Sequence, residues 1–234
     1  AGATWRYLDT GTNLGTAWRA GAYNDSAWRT GDGQFGYGDG DERTTVKFGS
    51  KSNNKFITTY FRKSFVATNT TNIGRLDLRL VFDDGAAVFL NGTLVALGNL
   101  SSNATASTLA NATQEDLEDA WFTFAVNPAL LIAGTNTLAV EVHQAATNSP
   151  DLSFDAQLIA FETVPPPRIL SAVSQSNGTF LLTFTGTFGA LAVEASTNFT
   201  TWSALGTAPL TNGSGAFLDA PASTIPWRFY RLRQ

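Results

Sequence analysis

Three groups of side chains have types and spacings that could do chemistry. Asp39-Gly40-Asp41-Glu42 sets three carboxylates on a glycine-rich stretch. Ca²⁺ takes about 6 to 8 oxygen ligands, carboxylates and loop carbonyls among them, so this segment is a candidate calcium loop, with Asp83 as a further ligand. Its spacing is not that of an EF-hand, and solvated turn acids are the competing reading, since Asp and Gly are also what turns favour. In the second group, Glu141 and His143 lie two residues apart, Asp155 has the same phase on a later strand, and Asp77 and Arg79 repeat the spacing earlier. Side chains two apart on a strand share a face, so these five are expected on one solvent-facing sheet surface. There, carboxylates, a guanidinium and an imidazole would hydrogen-bond sugar hydroxyls. A solvated face with cross-strand pairs is the alternative. The third group is an echo: Thr16-Ala17-Trp18-Arg19-Ala20-Gly21 recurs as Ser26-Ala27-Trp28-Arg29-Thr30-Gly31. Trp18 and Trp28 read either as core packing with guanidinium on indole or as a platform for a ligand.

Other chemistries lack their residues. The chain has no Cys and one His, which leaves zinc and redox sites short of ligands. No G-x-S-x-G elbow accompanies His143, and no carboxylate pair is distinctive enough to mark a glycosidase. Gly31-Asp32-Gly33-Gln34-Phe35-Gly36 matches G-x-G-x-x-G only formally, because glycines continue at 38 and 40 where a dinucleotide fingerprint would open a helix. The expectation is a protein that is not an enzyme. A formal net charge of -4 without clustered Lys and Arg argues against nucleic acid. No apolar run reaches the ~20 residues of a membrane helix, so insertion in a membrane is not expected.

The elements that must position these groups are strands. Leu76, Leu78, Leu80 and Phe82 alternate with Asp77, Arg79 and Val81, and Leu138, Val140 and Val142 alternate with Ala139, Glu141 and His143. Phe154, Ala156 and Leu158 do the same around Asp155 and Gln157. Period-two alternation marks strands with one buried face. Asp84-Gly85 and Asn91-Gly92 supply the positive-φ residues of two-residue hairpins, which predicts tight antiparallel pairing on both sides of Ala86–Leu90. A turn or two of helix is expected around Asn127–Ile132, ended by Gly134. Pro165-Pro166-Pro167 favours an extended, semi-rigid linker. The chain therefore divides into residues 1–162, a linker 163–168, and a region 169–234 of five short strands in which Asn177-Gly178 marks a hairpin.

The segment Asp83-Asp84-Gly85-Ala86-Ala87-Val88-Phe89-Leu90-Asn91-Gly92 resembles the corresponding stretch of galactose-binding-like jelly-roll domains of secreted bacterial proteins. The closing portion, Val193–Trp202 through Pro226–Arg231, resembles a small β-sandwich found at the ends of secreted proteins of Verrucomicrobia-like bacteria. These resemblances imply an all-β chain, a jelly-roll β-sandwich followed by a smaller fibronectin- or Ig-like one. They also imply binding rather than catalysis, and structural Ca²⁺ beside a strand end.

With 43% hydrophobic and 15% charged residues, the 234-residue chain can bury a core and is not expected to be disordered. Absence of Cys and of an initial Met reads as a secreted bacterial protein whose signal peptide has been removed, located outside the cell or at its surface. Two functions fit. The first expectation is a structural subunit that self-associates into a filament, sheath or surface layer through β-domain contacts, since modules of both kinds normally decorate larger enzymes, yet here they make up the whole sequence. The alternative is a pair of carbohydrate-binding modules whose partner is a glycan, presented by exposed Trp residues and attached to a larger enzyme.

Overall fold

The computed structural model describes residues 1–114, 120–187, 189–220 and 227–233, and these form two compact units, Ala1–Thr163 and Val164–Gln234. Both are built of strands. The first contains β1 (Thr4–Leu8), β2 (Arg29–Asp32), β3 (Phe35–Tyr37), β4 (Thr44–Thr45), β5 (Thr58–Ala67), β6 (Ile73–Phe82), β7 (Gly85–Leu90), β8 (Thr93–Gly98), β9 (Phe122–Val126), β10 (Gly134–His143) and β11 (Leu152–Glu162). They form a six-stranded sheet in the order β2-β1-β5-β10-β7-β8 and a five-stranded sheet in the order β4-β3-β11-β6-β9. Pairing is antiparallel except between β3 and β4.

The predicted alternation holds on the inner faces. Leu76, Leu78 and Leu80 of β6, Val140 and Val142 of β10, and Phe154 of β11 meet in one core with Phe35 and Phe61. Phe61 and Phe154 stack with centroids 4.1 Å apart. A second apolar layer covers the other side of the six-stranded sheet, where Trp18, Trp28, Tyr60, Phe89, Leu100 and Ala139 pack together. β10 is consequently buried on both faces.

Asn91 and Gly92 adopt φ of 52° and 87° and join β7 to β8 as a hairpin. The Asp84-Gly85 expectation is corrected: β6 and β7 do not pair but lie in different sheets. Asp83 and Asp84 turn the corner between layers, and Gly85 is the first residue of β7, where an added Cβ would lie 2.8 Å from Ala110 Cβ and 3.0 Å from the Asn99 carbonyl oxygen. Gly85 thus serves close approach rather than a left-handed turn. The expected helix is a single 3₁₀ turn, Pro128–Leu130, capped by Asn127 Oδ1 accepting from the Ala129 amide at 3.0 Å.

The second unit contains β12 (Arg168–Ser174), β13 (Phe180–Thr185), β14 (Ala190–Ser196), β15 (Ser203–Pro209), β16 (Ser214–Asp219) and β17 (Phe229–Arg233). Two three-stranded sheets, β12-β13-β16 and β15-β14-β17, enclose Leu182, Phe184, Leu191, Val193 and Ala208. Gly178 has φ 80° in the loop between β12 and β13. Among the described residues, no helix is long and apolar enough to cross a membrane.

Candidate functional site

The side chains expected on one surface are divided between the two sheets. Glu141 and His143 stand on β10 of the six-stranded sheet, whereas Asp77, Arg79 and Asp155 stand on β6 and β11 of the five-stranded sheet. Phase along a strand says which residues share a face of that strand, not which sheet the strand joins.

The outward face of β10 is not solvent-facing, which corrects the expectation for Glu141 and His143 and makes Trp18 and Trp28 core packing rather than a ligand platform. Glu141 is 3% exposed, His143 and Trp18 are fully buried, and Trp28 is 7% exposed. The segment between β1 and β2 lies over this face. Trp18 packs edge-on against Tyr60 at 4.8 Å, and its indole N–H donates to the Gly15 carbonyl at 3.1 Å. Buried Arg62 donates to the Trp18 carbonyl and to Asp25 Oδ2 at 2.8 Å, fastening the segment from below. Arg19 reaches Glu141 at 3.1 Å while its guanidinium lies 4.1 Å over the Phe89 ring. A second segment follows β8. Its Thr108 carbonyl lies 2.8 Å from His143 Nδ1, so that nitrogen carries the proton and donates. The expected guanidinium–indole packing of the repeated Trp-Arg turns is present for Arg19, 5.7 Å from the Trp18 centroid.

Among the described residues, the outer face of the five-stranded sheet is partly exposed. Arg79 registers with Gln157 of β11 on one side and Thr123 of β9 on the other, so three polar side chains form a row across the sheet. The adjacent row carries Asp77, which pairs with Arg75 at 2.9 Å. Aromatic rings bracket the array: Arg79 lies 5.1 Å from the Trp121 centroid and Arg75 3.9 Å from that of Phe161, which is 40% exposed. Asp155 has the right phase to join this face but is buried under the N-terminal residues. It accepts from the Gly2 amide at 2.9 Å and from its own neighbour Ala156 at 2.8 Å. Two of the expected residues, Asp77 and Arg79, therefore come together on the outer face of this sheet, both partly buried and Asp77 paired with Arg75. Gln157, Thr123, Trp121 and Phe161 join them only through strand order.

Three of the four expected calcium ligands lie together in the same unit; Asp83 is not among them. Oxygens of Asp39, Asp41 and Glu42 all lie within 4.8 Å of one another on the surface. Glu42 is already engaged, since the amides of Asp39 and Gly40 donate to its carboxylate at 3.0 and 3.1 Å. Asp39 accepts from Ser153 Oγ at 3.1 Å; burial and then the nearby acids Asp151, Glu42 and Asp41 raise its pKa against that hydrogen bond. Asp83 lies deeper, 2% exposed, with the acids Asp84 and Asp151 as charged neighbours. Burial, followed by those two acids, pushes Asp83 up to about 9. The sequence reading missed Asp151, which borders both the Asp39 loop and the buried acids. It follows Pro150 in a segment with no strand period, so only tertiary contact identifies it.

In the second unit, Trp227 and Phe199 are each 62% exposed, and the Trp227 indole N–H donates to the Thr197 carbonyl at 3.2 Å. Nothing in their spacing distinguished them from core aromatics.

No protein-family description matches the chain, and no curated protein does. Solved structures that resemble it include three glucuronidases. Bacteroides uniformis beta-glucuronidase 2, covalently bound to cyclophellitol-6-carboxylate aziridine, is 18% identical at a TM-score of 0.46, with 98% of this chain and 29% of that one covered. Bifidobacterium dentium beta-glucuronidase, complexed with coumarin-3-O-glucuronide, is 12% identical at 0.41, covering 93% and 40%. The enzyme of Ruminococcus gnavus, in complex with uronic deoxynojirimycin, is 10% identical at 0.43, covering 94% and 39%. The chain thus spans less than half the length of each.

Proposed function

We propose that this chain is a non-catalytic carbohydrate-binding module that acts outside the cell, and that the outer face of its five-stranded sheet holds the glycan. The observation that carries this reading is the row of Gln157, Arg79 and Thr123, with Asp77 beside it, bracketed by Trp121 and Phe161. A sugar ring presents hydroxyls at its rim and C–H groups on its faces. Side chains that donate and accept in several directions meet the first, and aromatic rings meet the second. The opposite sheet offers no comparable surface, because the Trp18 layer covers it.

A polysaccharide pull-down or glycan array tests the assignment. Arg79→Ala and Trp121→Ala are each expected to weaken binding about tenfold or more, as loss of ~1.4 kcal/mol would give, with a smaller effect on melting temperature because both side chains are partly exposed. Binding that survives the double substitution would move the site elsewhere, with Trp227 as the next residue to replace.

Self-association remains a second reading, and one feature favours it. Residues 157–162 of β11 and 63–67 of β5 are paired along one edge only among the described residues. Beside them runs an apolar cleft of about 620 Å³ lined by Phe65, Leu76, Leu131, Leu138 and Leu158. Unpaired strand edges next to apolar surface are what strand addition uses.

A further inference from the structure

The apolar cleft of the first unit carries one polar group that neither sugar binding nor strand pairing uses. Its buried wall residues Leu76, Leu131, Leu138 and Ala156 are apolar, and half-buried Phe65 and Leu158 extend them. Among the buried side chains that line it, the polar atom is the indole nitrogen of Trp5, which is 2% exposed and has no hydrogen-bond partner among the described residues. Trp18 is buried as deeply, and its indole donates to the Gly15 carbonyl at 3.1 Å. Buried donors are nearly always paired, so an orphaned N–H in an apolar wall marks the place of an acceptor.

The charged side chains that line the cleft, Lys63 and Glu162, stand at its two ends. Lys63 Nζ donates at 2.8 Å to the carbonyl of Thr4, the residue before Trp5, and Trp5 packs edge-on against Phe154 at 5.3 Å. An ammonium has three donors, which leaves Lys63 two. Glu162 ends β11, eight residues beyond Phe154, where it registers with Ile73. At ~3.3 Å per residue the strand carries it roughly 25 Å from the Trp5 end. Asp155, the acid on β11 next to Phe154, already accepts from the amides of Gly2 and Ala156. An unpaired donor and a cation therefore share one end of an apolar cleft whose other end is acidic.

We propose that this cleft binds an aliphatic carboxylic acid of the fatty-acid class, its carboxylate accepting from Trp5 Nε1 and facing Lys63, its chain lying along the apolar wall toward the far end of β11. At about 620 Å³ the cleft falls in the range of roughly 300 to 1,000 Å³ common to small-molecule sites, which are mostly apolar with a few placed polar groups. A sugar does not suit it, because apolar walls would strip its hydroxyls of water without replacing the hydrogen bonds. Nor does an added strand use the indole: strands hydrogen-bond in the plane of a sheet, whereas Trp5 belongs to the core between the sheets. This site is independent of the glycan reading.

The test is titration of the full ¹⁵N-labelled chain with dodecanoate below its micelle-forming concentration, followed by the indole N–H resonances of the six tryptophans. The resonance absent from Trp5→Phe is expected to move more than the others, and Trp5→Phe, which keeps an aromatic ring, should bind dodecanoate about tenfold more weakly. Dodecyltrimethylammonium, with a cationic head on the same chain, should leave that resonance in place. Lys63→Glu, at a partly buried position, should reverse the preference between the two amphiphiles, and this arm decides the matter if Trp5→Phe does not fold. A Trp5 resonance unmoved by dodecanoate overturns the proposal, as does an equal response to both head groups. So does a shift that follows protein concentration and molecular mass instead of dodecanoate, which would give the cleft to a second copy of the chain.

Discussion

Charged side chains of the first unit divide into those paired beneath a covering layer and those on the outer face of the five-stranded sheet. Arg19 and Glu141 belong to the first kind. Glu141 is buried beneath the Trp18 layer, and the 3.1 Å contact with Arg19 is its ion pair across that layer. Removing one partner strands a buried charge, which typically costs more than the pair contributes. Arg19→Met is therefore expected to lower stability by about 3 kcal/mol in urea unfolding, whereas Glu141→Gln, which still offers Arg19 an acceptor, should cost less. Equal stabilities of native protein and Arg19→Met would mean that Glu141 finds another partner. Arg79 belongs to the second kind: its guanidinium lies beside the Trp121 ring on that outer face, so its substitution should touch binding more than the fold.

At the level of elements, the β7–β8 hairpin shows how local turn chemistry is tied to distant strands. Asn91 takes the left-handed conformation that its turn needs. Its side chain then donates to the Leu130 carbonyl at 3.0 Å and to Asn136 Oδ1 at 2.8 Å, and accepts from the Thr137 amide at 2.9 Å. Glycine suits the backbone at least as well, so Asn91→Gly separates the two roles. Three lost hydrogen bonds at roughly 1 kcal/mol each predict a destabilisation of about 2 to 3 kcal/mol by denaturant titration. A change under about 0.5 kcal/mol, the scale of ordinary surface substitutions, would show that only the turn matters. The hairpin was legible in Asn91-Gly92, but its anchorage to the 3₁₀ turn and β10 was not. Those partners lie about forty residues away and carry no shared period.

For the molecule as a whole, the single-sided edges of β5 and β11 decide between a module that binds and one that assembles. Light scattering at rising protein concentration, with and without CaCl₂, should give the monomer mass if the cleft beside those edges stays empty. Growth of large species, abolished by Val66→Lys at a position 72% exposed on β5, would favour strand addition instead.

By itself the sequence determined the all-β class, the inner faces of β6, β10 and β11, the Asn-Gly hairpins, and the presence of acids suited to a hard cation. These depend on period-two alternation and on turn residues, which act between near neighbours. Only the tertiary structure decided which sheet each strand entered. That assignment placed Glu141 and His143 under a covering layer and left Asp77 and Arg79 on a partly exposed outer face. It also turned Asp84-Gly85 into a corner and brought Asp151 to Asp83. Strand order and the packing of long loops over a sheet are settled by contacts distant in sequence, where burial of Trp18 or of a carboxyl is won or lost for the whole fold at once.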